Sequence, residues 1–142
     1  MPISKLFARL AVDANPLLSA LIGGAAYRVL LSPRIGEFVA PFAVVEEVRE
    51  YLPVLARKYR LDRHLLELTL AVLPVHMYNR ESYAEYLSEA GRRMERRDPR
   101  DVDLLALALK FQAPVWSNDR DFASAEVEWW TTARLLARLG HP

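Results

Sequence analysis

At 142 residues, 52% of them hydrophobic and 26% charged, the chain reads as one globular domain spanning 1–142, and this composition argues against disorder. It contains no cysteine and carries a net charge of +1. Disulfides, thiolate zinc sites and cysteine nucleophiles are thereby excluded, and no global field marks a nucleic-acid partner. No apolar stretch approaches the ~20 residues that cross a bilayer, and the N-terminus lacks the charged, apolar and small-residue order of a signal peptide. The expectation is a cytoplasmic protein with no membrane contact.

In chain order, residues 6–12 (LFARLAV) form an apolar run that predicts a strand. Asn15 can cap and Pro16 can open a helix over 17–22, closed by Gly23 and Gly24. Asp13 then stands at the strand's end, partly surplus to that capping. Residues 25–33 read as a loop with a short helical turn, and 37–40 as a strand. From Pro41 on, Phe42, Val45, Val48, Leu52 and Leu55 recur at three- and four-residue steps, predicting a helix. On it, Glu47 sits beside the apolar stripe, whereas Glu46 and Glu50 share a solvent-facing side. A helix over 61–73, capped by Asp62, a strand over 75–78 and an amphipathic helix over 80–97 follow. The inner stripe of that last helix is Tyr83, Tyr86 or Leu87, Ala90 and Met94.

Residues 98–122 (DPRDVDLLALALKFQAPVWSNDRDF) are the most informative. Asp98 suits an N-cap, Pro99 the first helical position and Asp101 the first turn. Leu104, Leu105, Leu107, Ala108 and Phe111 make an apolar face. Ala113 and Pro114 end that helix, and Val115-Trp116 reads as a short buried strand that closes in Ser117-Asn118-Asp119-Arg120-Asp121. Taken singly, these acids fit caps and Asx-turns equally well. A last strand over 127–130 and a helix over 133–139, capped by Thr131 or Thr132 and ended by Gly140, complete the chain. Arg92, Arg96, Arg97 and Arg100 cluster just before and within the acidic stretch. They read either as a solvated helix end or as a phosphate clamp beside an acidic site. The three histidines are scattered without metal-ligand spacing.

Short apolar strands alternating with helices predict a three-layer α/β/α sandwich around a short, mainly parallel sheet. Asp13 and Asp119 each follow a strand and so share the carboxyl edge, where open α/β sheets bind ligands. Asp101 can lean over that edge if its neighbouring strand lies beside the first, and Glu47 can enter from the side. Four converging carboxylates need a cation. With oxygen donors only, a hard ion such as Mg²⁺ or Mn²⁺ is the chemically sensible one, and a carboxylate-held metal serves phosphoryl chemistry.

Four segments, AVDANPLLSALI, APFAVVEEVREYL, RDPRDVDLLALALKFQAPVWSNDRDF and VEWWTTARLL, together resemble the PIN-domain nucleases over nearly the whole chain. The third is the most specific, with an Asp, then Leu-Ala-Leu-Ala, then a strand closing in Ser/Thr-x-Asp-x-Asp-Phe. The resemblance implies a Mg²⁺- or Mn²⁺-dependent ribonuclease acting on RNA, a homodimer, and the toxin half of a VapBC-type toxin–antitoxin pair with an antitoxin partner. It maps the family's acids onto Asp13, Glu47 (or, with a register error, Glu46), Asp101 and Asp119. Asp13, Asp101 and Asp119 would hold the metal, and Asp98, Ser117 and Asp121 would support them. Asp103 falls two residues off this register. The homodimer would use apolar residues such as Leu66, Leu70, Tyr83 and Tyr86. The rival expectation is a non-catalytic nucleic-acid-binding or scaffold domain on the same fold. A phosphorylated receiver domain is a weaker third, because no lone acceptor Asp or late Lys can be placed.

Overall fold

The computed structural model describes residues 4–95 and 98–140. Its sheet has five strands, β1 (Phe7–Val12), β2 (Ile35–Pro41), β3 (Val75–Tyr78), β4 (Val115–Trp116) and β5 (Trp129–Trp130), in the order β3-β2-β1-β4-β5. Every pairing is parallel. The helices are α1 (Ala14–Leu21), α2 (Ala26–Leu30), α3 (Phe42–Tyr59), α4 (Arg63–Val72), α5 (Leu87–Met94), α6 (Pro99–Phe111) and α7 (Thr132–Leu139). Two short 3-10 turns add Arg80–Tyr86 and Arg120–Ser124.

The hydrophobic runs explain the layering. Leu10, Ala11 and Val12 of β1 are fully buried in succession, which requires helices on both faces of the sheet. One layer is α6, which packs over β1, β2 and β4 and carries α5 and the 80–86 turn. Residues 103–108 of α6 are all buried, so this helix is enclosed by the sheet beneath and α5 beside it. The other layer contains α3, against β2 and β3, with α1 and α4 packed upon it. The chain runs outward from β1 through β2 to β3, then returns to place β4 on the opposite side of β1. The order therefore reverses between β1 and β4, and the crevice beyond their carboxyl ends is where such sheets take ligands.

Three expectations are corrected. Asp13, not Asn15, caps α1, its side chain accepting from Ala14 N. Asp13 is therefore not surplus to structure, and Asn15 instead accepts from Asn118 N at 3.3 Å. The helix foreseen over 80–97 is two pieces. Asn79 accepts from Ser82 N while the Ser82 hydroxyl donates to Asn79 O. These local bonds compete with the helical ladder and tighten the first turns into 3-10 geometry. At the far end α5 stops at Met94, with Glu95 at a φ of 55°, and residues 96–97 lie outside the described residues. Finally, two of the residues foreseen at a homodimer contact, Leu66 and Tyr83, belong to this chain's own core. The exposed apolar residues are their neighbours Leu61, Leu65, Leu68 and Val72, which recur at three- and four-residue steps along and just before α4.

Candidate metal centre and cleft

Beyond the carboxyl ends of β1 and β4 lies a cleft of about 430 Å³ lined by Asp13, Glu47, Asp98, Asp101, Asp119 and Asp121, together with Ala14, Asn15, Leu18 and Tyr51. Six of these ten residues are carboxylates, and none is Lys, Arg or His.

Each acid is delivered by a different local device. The residue just past β1 is Asp13, whose backbone N donates to Trp116 O at 2.9 Å, continuing the β1–β4 ladder by one rung. Its buried carboxylate accepts from Ala14 N through Oδ1 at 2.8 Å and from the Ser117 hydroxyl through Oδ2 at 2.6 Å. Ser117 is itself fully buried and also accepts from Asp119 N at 2.9 Å, so one hydroxyl sets the spacing between the two strand-end acids. Asp119 accepts in turn from Asp121 N at 2.9 Å, capping the turn at 120–124. The loop is held from behind by Trp129, whose indole donates to Ser117 O, and by Asn118, whose side chain accepts from Thr132 N. Asp98 caps α6 as its sequence suggests, accepting from Arg100 N at 2.8 Å. The same helix presents Asp101 one turn in, its negative charge near a positive helix end.

The electrostatics show how crowded the cleft is. Burial raises the Asp101 carboxyl to about 7, with Asp13, Asp119, Asp98 and Glu47 adding to the rise. Burial also raises Asp13, opposed by the hydrogen bonds from Ser117 and Ala14 and reinforced by Asp119 and Asp98. For Glu47, burial and then Asp13 raise the carboxyl, while Arg100 draws it down. Carboxyls held in this state favour a bound cation, because a positive charge offsets both the cost of burying them ionised and their mutual repulsion.

Asp13, Glu47, Asp98, Asp101, Asp119 and Asp121, all foreseen from sequence, come together. Ser117 sits directly behind them. Of the two adjacent glutamates, Glu47 lines the cleft and Glu46 is exposed elsewhere. Asp103 is turned the other way. It is buried, accepts from the Tyr83 hydroxyl at 2.8 Å and lies 3.8 Å from Arg80, an arrangement that ties α6 to the 80–86 turn. Burial and the Asp103 hydrogen bond push the Tyr83 phenol up.

The arginines divide. Arg100 stands near the cleft, where its guanidinium donates to Glu50 on α3 at 2.7 Å. Arg92 does not line the cleft. It pairs with Glu89 and lines a separate depression with Arg93 and Glu126. Arg96 and Arg97 lie outside the described residues. Sequence reading missed Tyr51 and Leu18 as cleft residues. For Tyr51 the signal was present, since it follows Glu47 by four positions and so shares its helix face.

The donor chemistry tests what the cleft can hold. Oxygen atoms of Asp101, Asp119 and Asp121 lie within 4.8 Å of one another, and among the described residues no nitrogen or sulfur ligand lines the cleft. This set fits a hard divalent cation. This grouping contains Asp101 and Asp119 of the expected ligands together with Asp121, while Asp13 lines the same cleft with both carboxylate oxygens accepting hydrogen bonds from the protein.

Comparison with known proteins agrees with this architecture. Among solved structures, the chain is similar to a toxin–antitoxin complex from Klebsiella pneumoniae (22% identity, 87% of this chain and 97% of that one, TM-score 0.63). It is similar also to VapBC2 from Rickettsia felis bound to a promoter DNA fragment (14% identity, 87% and 98%, TM-score 0.62), and to FitAcB from Neisseria gonorrhoeae (18% identity, 88% and 98%, TM-score 0.54). At these identities the likeness is one of fold. No curated protein sequence matches. The family model for the PIN domain matches residues 11–140, from the last two residues of β1 to the C-cap of α7, and the chain belongs to the PIN-domain family.

Proposed function

We propose that the protein is a divalent-metal-dependent endoribonuclease that hydrolyses RNA phosphodiester bonds, acting as the toxin of a toxin–antitoxin pair. The observation that carries this reading is the cleft itself, with six carboxylates, no lining cation among the described residues, and an Asp101 carboxyl raised to about 7 by burial and its neighbours. Capping and turn formation account for Asp98 and Asp119 one at a time, but they give no reason for six acids to converge. A binding module for phosphate would avoid such a cluster, because like charges repel the ligand as well as one another.

Asp101, Asp119 and Asp121 would hold Mg²⁺ or Mn²⁺, which when bound supplies an activated water and charge stabilisation on phosphate oxygens. Asp13, braced by Ser117, completes the negative field behind them, and Glu47 supports it from the α3 wall. Arg100, near this wall and paired with Glu50, would meet RNA phosphate approaching the cleft. Membership of the family and fold likeness to toxin–antitoxin structures support the toxin reading and an antitoxin partner. The exposed apolar stripe Leu61, Leu65, Leu68 and Val72 supports pairing with a second copy. No helix among the described residues is long and apolar enough to cross a membrane, in keeping with a cytoplasmic site of action.

The test is incubation of purified protein with a mixed RNA pool in Mg²⁺ or Mn²⁺, with and without chelator, followed by mapping of the new ends. Discrete cuts that vanish with chelator are expected. An intact pool in both metals would overturn the reading.

A further inference from the structure

The two edges of the sheet carry opposite charge. The only acid in the first 36 residues is Asp13, at the carboxyl edge, and no Asp or Glu occurs from 129 to 142. These same segments build much of the amino edge, from the residues leading into β1 and β2 to the end of α7, which packs against α2. There Lys5 donates to Pro33 O at 2.8 Å, while Arg34 donates from Nε to Ser4 O at 3.2 Å and from Nη1 to Arg138 O at 3.3 Å. Three segments far apart in sequence thus bring Lys5, Arg34 and Arg138 together. One turn back on α7, Arg134 lies over the Trp130 ring at 4.6 Å and donates to Trp129 O at 2.8 Å. Lys5, Arg134 and Arg138 are exposed.

Their partners set these cations apart. Arg63 faces Glu67 and Arg100 faces Glu50, so those charges are cancelled locally. Lys5, Arg34 and Arg134 are held instead by neutral carbonyls, which fix the heads and leave the charge whole. Glu37, just inside β2, is taken up by Arg9, His76 and Tyr78. Glu128, just before β5, pairs with no cation among the described residues. Taken singly, Arg138 suits the last turn of a helix and Arg134 suits its ring. Neither role explains why α7 keeps like charges four residues apart, a repulsive spacing, beside two further cations. Arg34 commits only two of its five N–H donors and Lys5 one of three, so donors remain for an anion.

The acid cleft has no lining cation among the described residues, so RNA that enters it must gain its phosphate attraction elsewhere. We propose that Lys5, Arg34, Arg134 and Arg138 form a separate binding face for the RNA phosphate backbone, about 20 Å from the cleft along the six residues of β1. This rests on the nuclease reading above and adds a second, remote contact to it. A substrate that uses both sites is long enough, or folded enough, to span that distance. Contacts of this kind read no bases, so the face sets affinity and salt dependence and leaves sequence choice to the cleft.

The experiment measures binding of unstructured RNAs of increasing length, in chelator so that nothing is cut, over a range of salt concentrations. Wild type is compared with a Lys5→Gln, Arg138→Gln double variant and with Arg57→Gln, Lys58→Gln, which removes the same charge from the exposed end of α3. Lys5 and Arg138 are both exposed, so their variant should melt with wild type. On long RNA its salt slope should fall by about 1.4, two phosphate contacts at about 0.7 each, which amounts to roughly 25-fold weaker binding at 0.1 M salt. The control should bind close to wild type. Wild-type affinity should step up once the RNA can span both sites, and the double variant should lack that step. In metal, the double variant should show a raised KM on long RNA with kcat unchanged. Two results overturn the inference while leaving the nuclease reading standing. One is a double variant that binds long RNA as wild type does, which would leave this face to a protein partner. The other is an equal loss in the control, which would make the attraction one of net charge alone. A wild type that loses RNA binding on this substitution yet cuts no RNA in metal would remove the nuclease reading and keep the binding face.

Discussion

Asp101→Asn should make the metal-free protein more stable at pH 8, which is the reverse of what removing a structural aspartate does. In the folded protein this carboxyl titrates near 7 against an ordinary 3.8. Between those values the folded chain holds a proton that the unfolded chain has lost, so the group's contribution is fully present below about pH 4 and is lost as pH rises through 7. The full difference corresponds to about 4 kcal/mol. Solvent screening at a half-exposed side chain brings this to about 2 kcal/mol. Against it, Asn forfeits a favourable charge in the first turn of α6, worth about 0.5 kcal/mol. The cost of burying and crowding the charge wins, leaving a net gain of roughly 1–1.5 kcal/mol at pH 8, or about 3–5 °C in Tm for a chain of this size. At pH 4.5 Asp101 is already protonated in the fold while the unfolded group is only partly protonated, so the gap should shrink to about 0.5 kcal/mol or less. The assay is a pair of thermal melts at each pH on metal-stripped protein. A variant that melts at or below wild type at pH 8, or that differs equally at both pH values, would refute the reasoning.

Ser117→Ala removes a buried hydroxyl that serves Asp13 and Asp119 N at once. It should cost about 1–3 kcal/mol in a chemical unfolding series, and without this hydrogen bond the Asp13 carboxyl should rise further, steepening the loss of stability with pH. Asp103→Ala strands the buried Tyr83 hydroxyl and should cost about 1–3 kcal/mol by the same measurement, yet leave any Mn²⁺-induced rise in Tm unchanged. A variant of Asp103 that loses the metal response would place that acid in the site after all. Light scattering at about 20 μM, chosen for interfaces of micromolar affinity, should give a dimer mass for wild type and a monomer mass for the Leu68→Glu, Val72→Glu double variant. A wild-type monomer would remove the α4 face as a contact.

Much of this was legible because the signals were local. Asp98-Pro99 opens α6 where caps and helix starts say it should, and Val115-Trp116, only two residues, is marked as a strand by the helix break before it and the acids after it. The placing of Asp13 beside Ser117 and Asp119 follows from parallel pairing of β1 and β4. What escaped reading depended on orientation. The α4 sequence has leucines at 65, 66, 68 and 70, on nearly every side of the helix, so periodicity alone does not say that Leu66 faces the core and Leu65 and Leu68 the solvent. Asp101 and Asp103 are two apart, about 200° around the helix, and only tertiary structure gives one to the cleft and the other to Tyr83. Arg92 precedes the acids in sequence, but α5 ends before them and leaves it over a different depression. Asp13 was misjudged as surplus because Asn15 offered an equally good cap, and the bond to Asn118 that occupies Asn15 joins residues 103 positions apart.

The most direct test of the claim that these acids exist to hold a metal against RNA phosphate is the cleavage activity of Asp119→Asn, measured beside its melting temperature in chelator and in Mn²⁺. Asn is nearly isosteric with Asp and can still accept from Asp121 N, so the turn after β4 should survive. The expected result is loss of RNA cleavage, loss of the Mn²⁺-induced rise in Tm, which at a hundredfold excess over the dissociation constant corresponds to about 2.7 kcal/mol in wild type, and a melt in chelator at or above that of wild type. A variant that still cuts RNA, or that melts lower in chelator while keeping the full Mn²⁺ response, would contradict the claim and return Asp119 to the role of a capping residue.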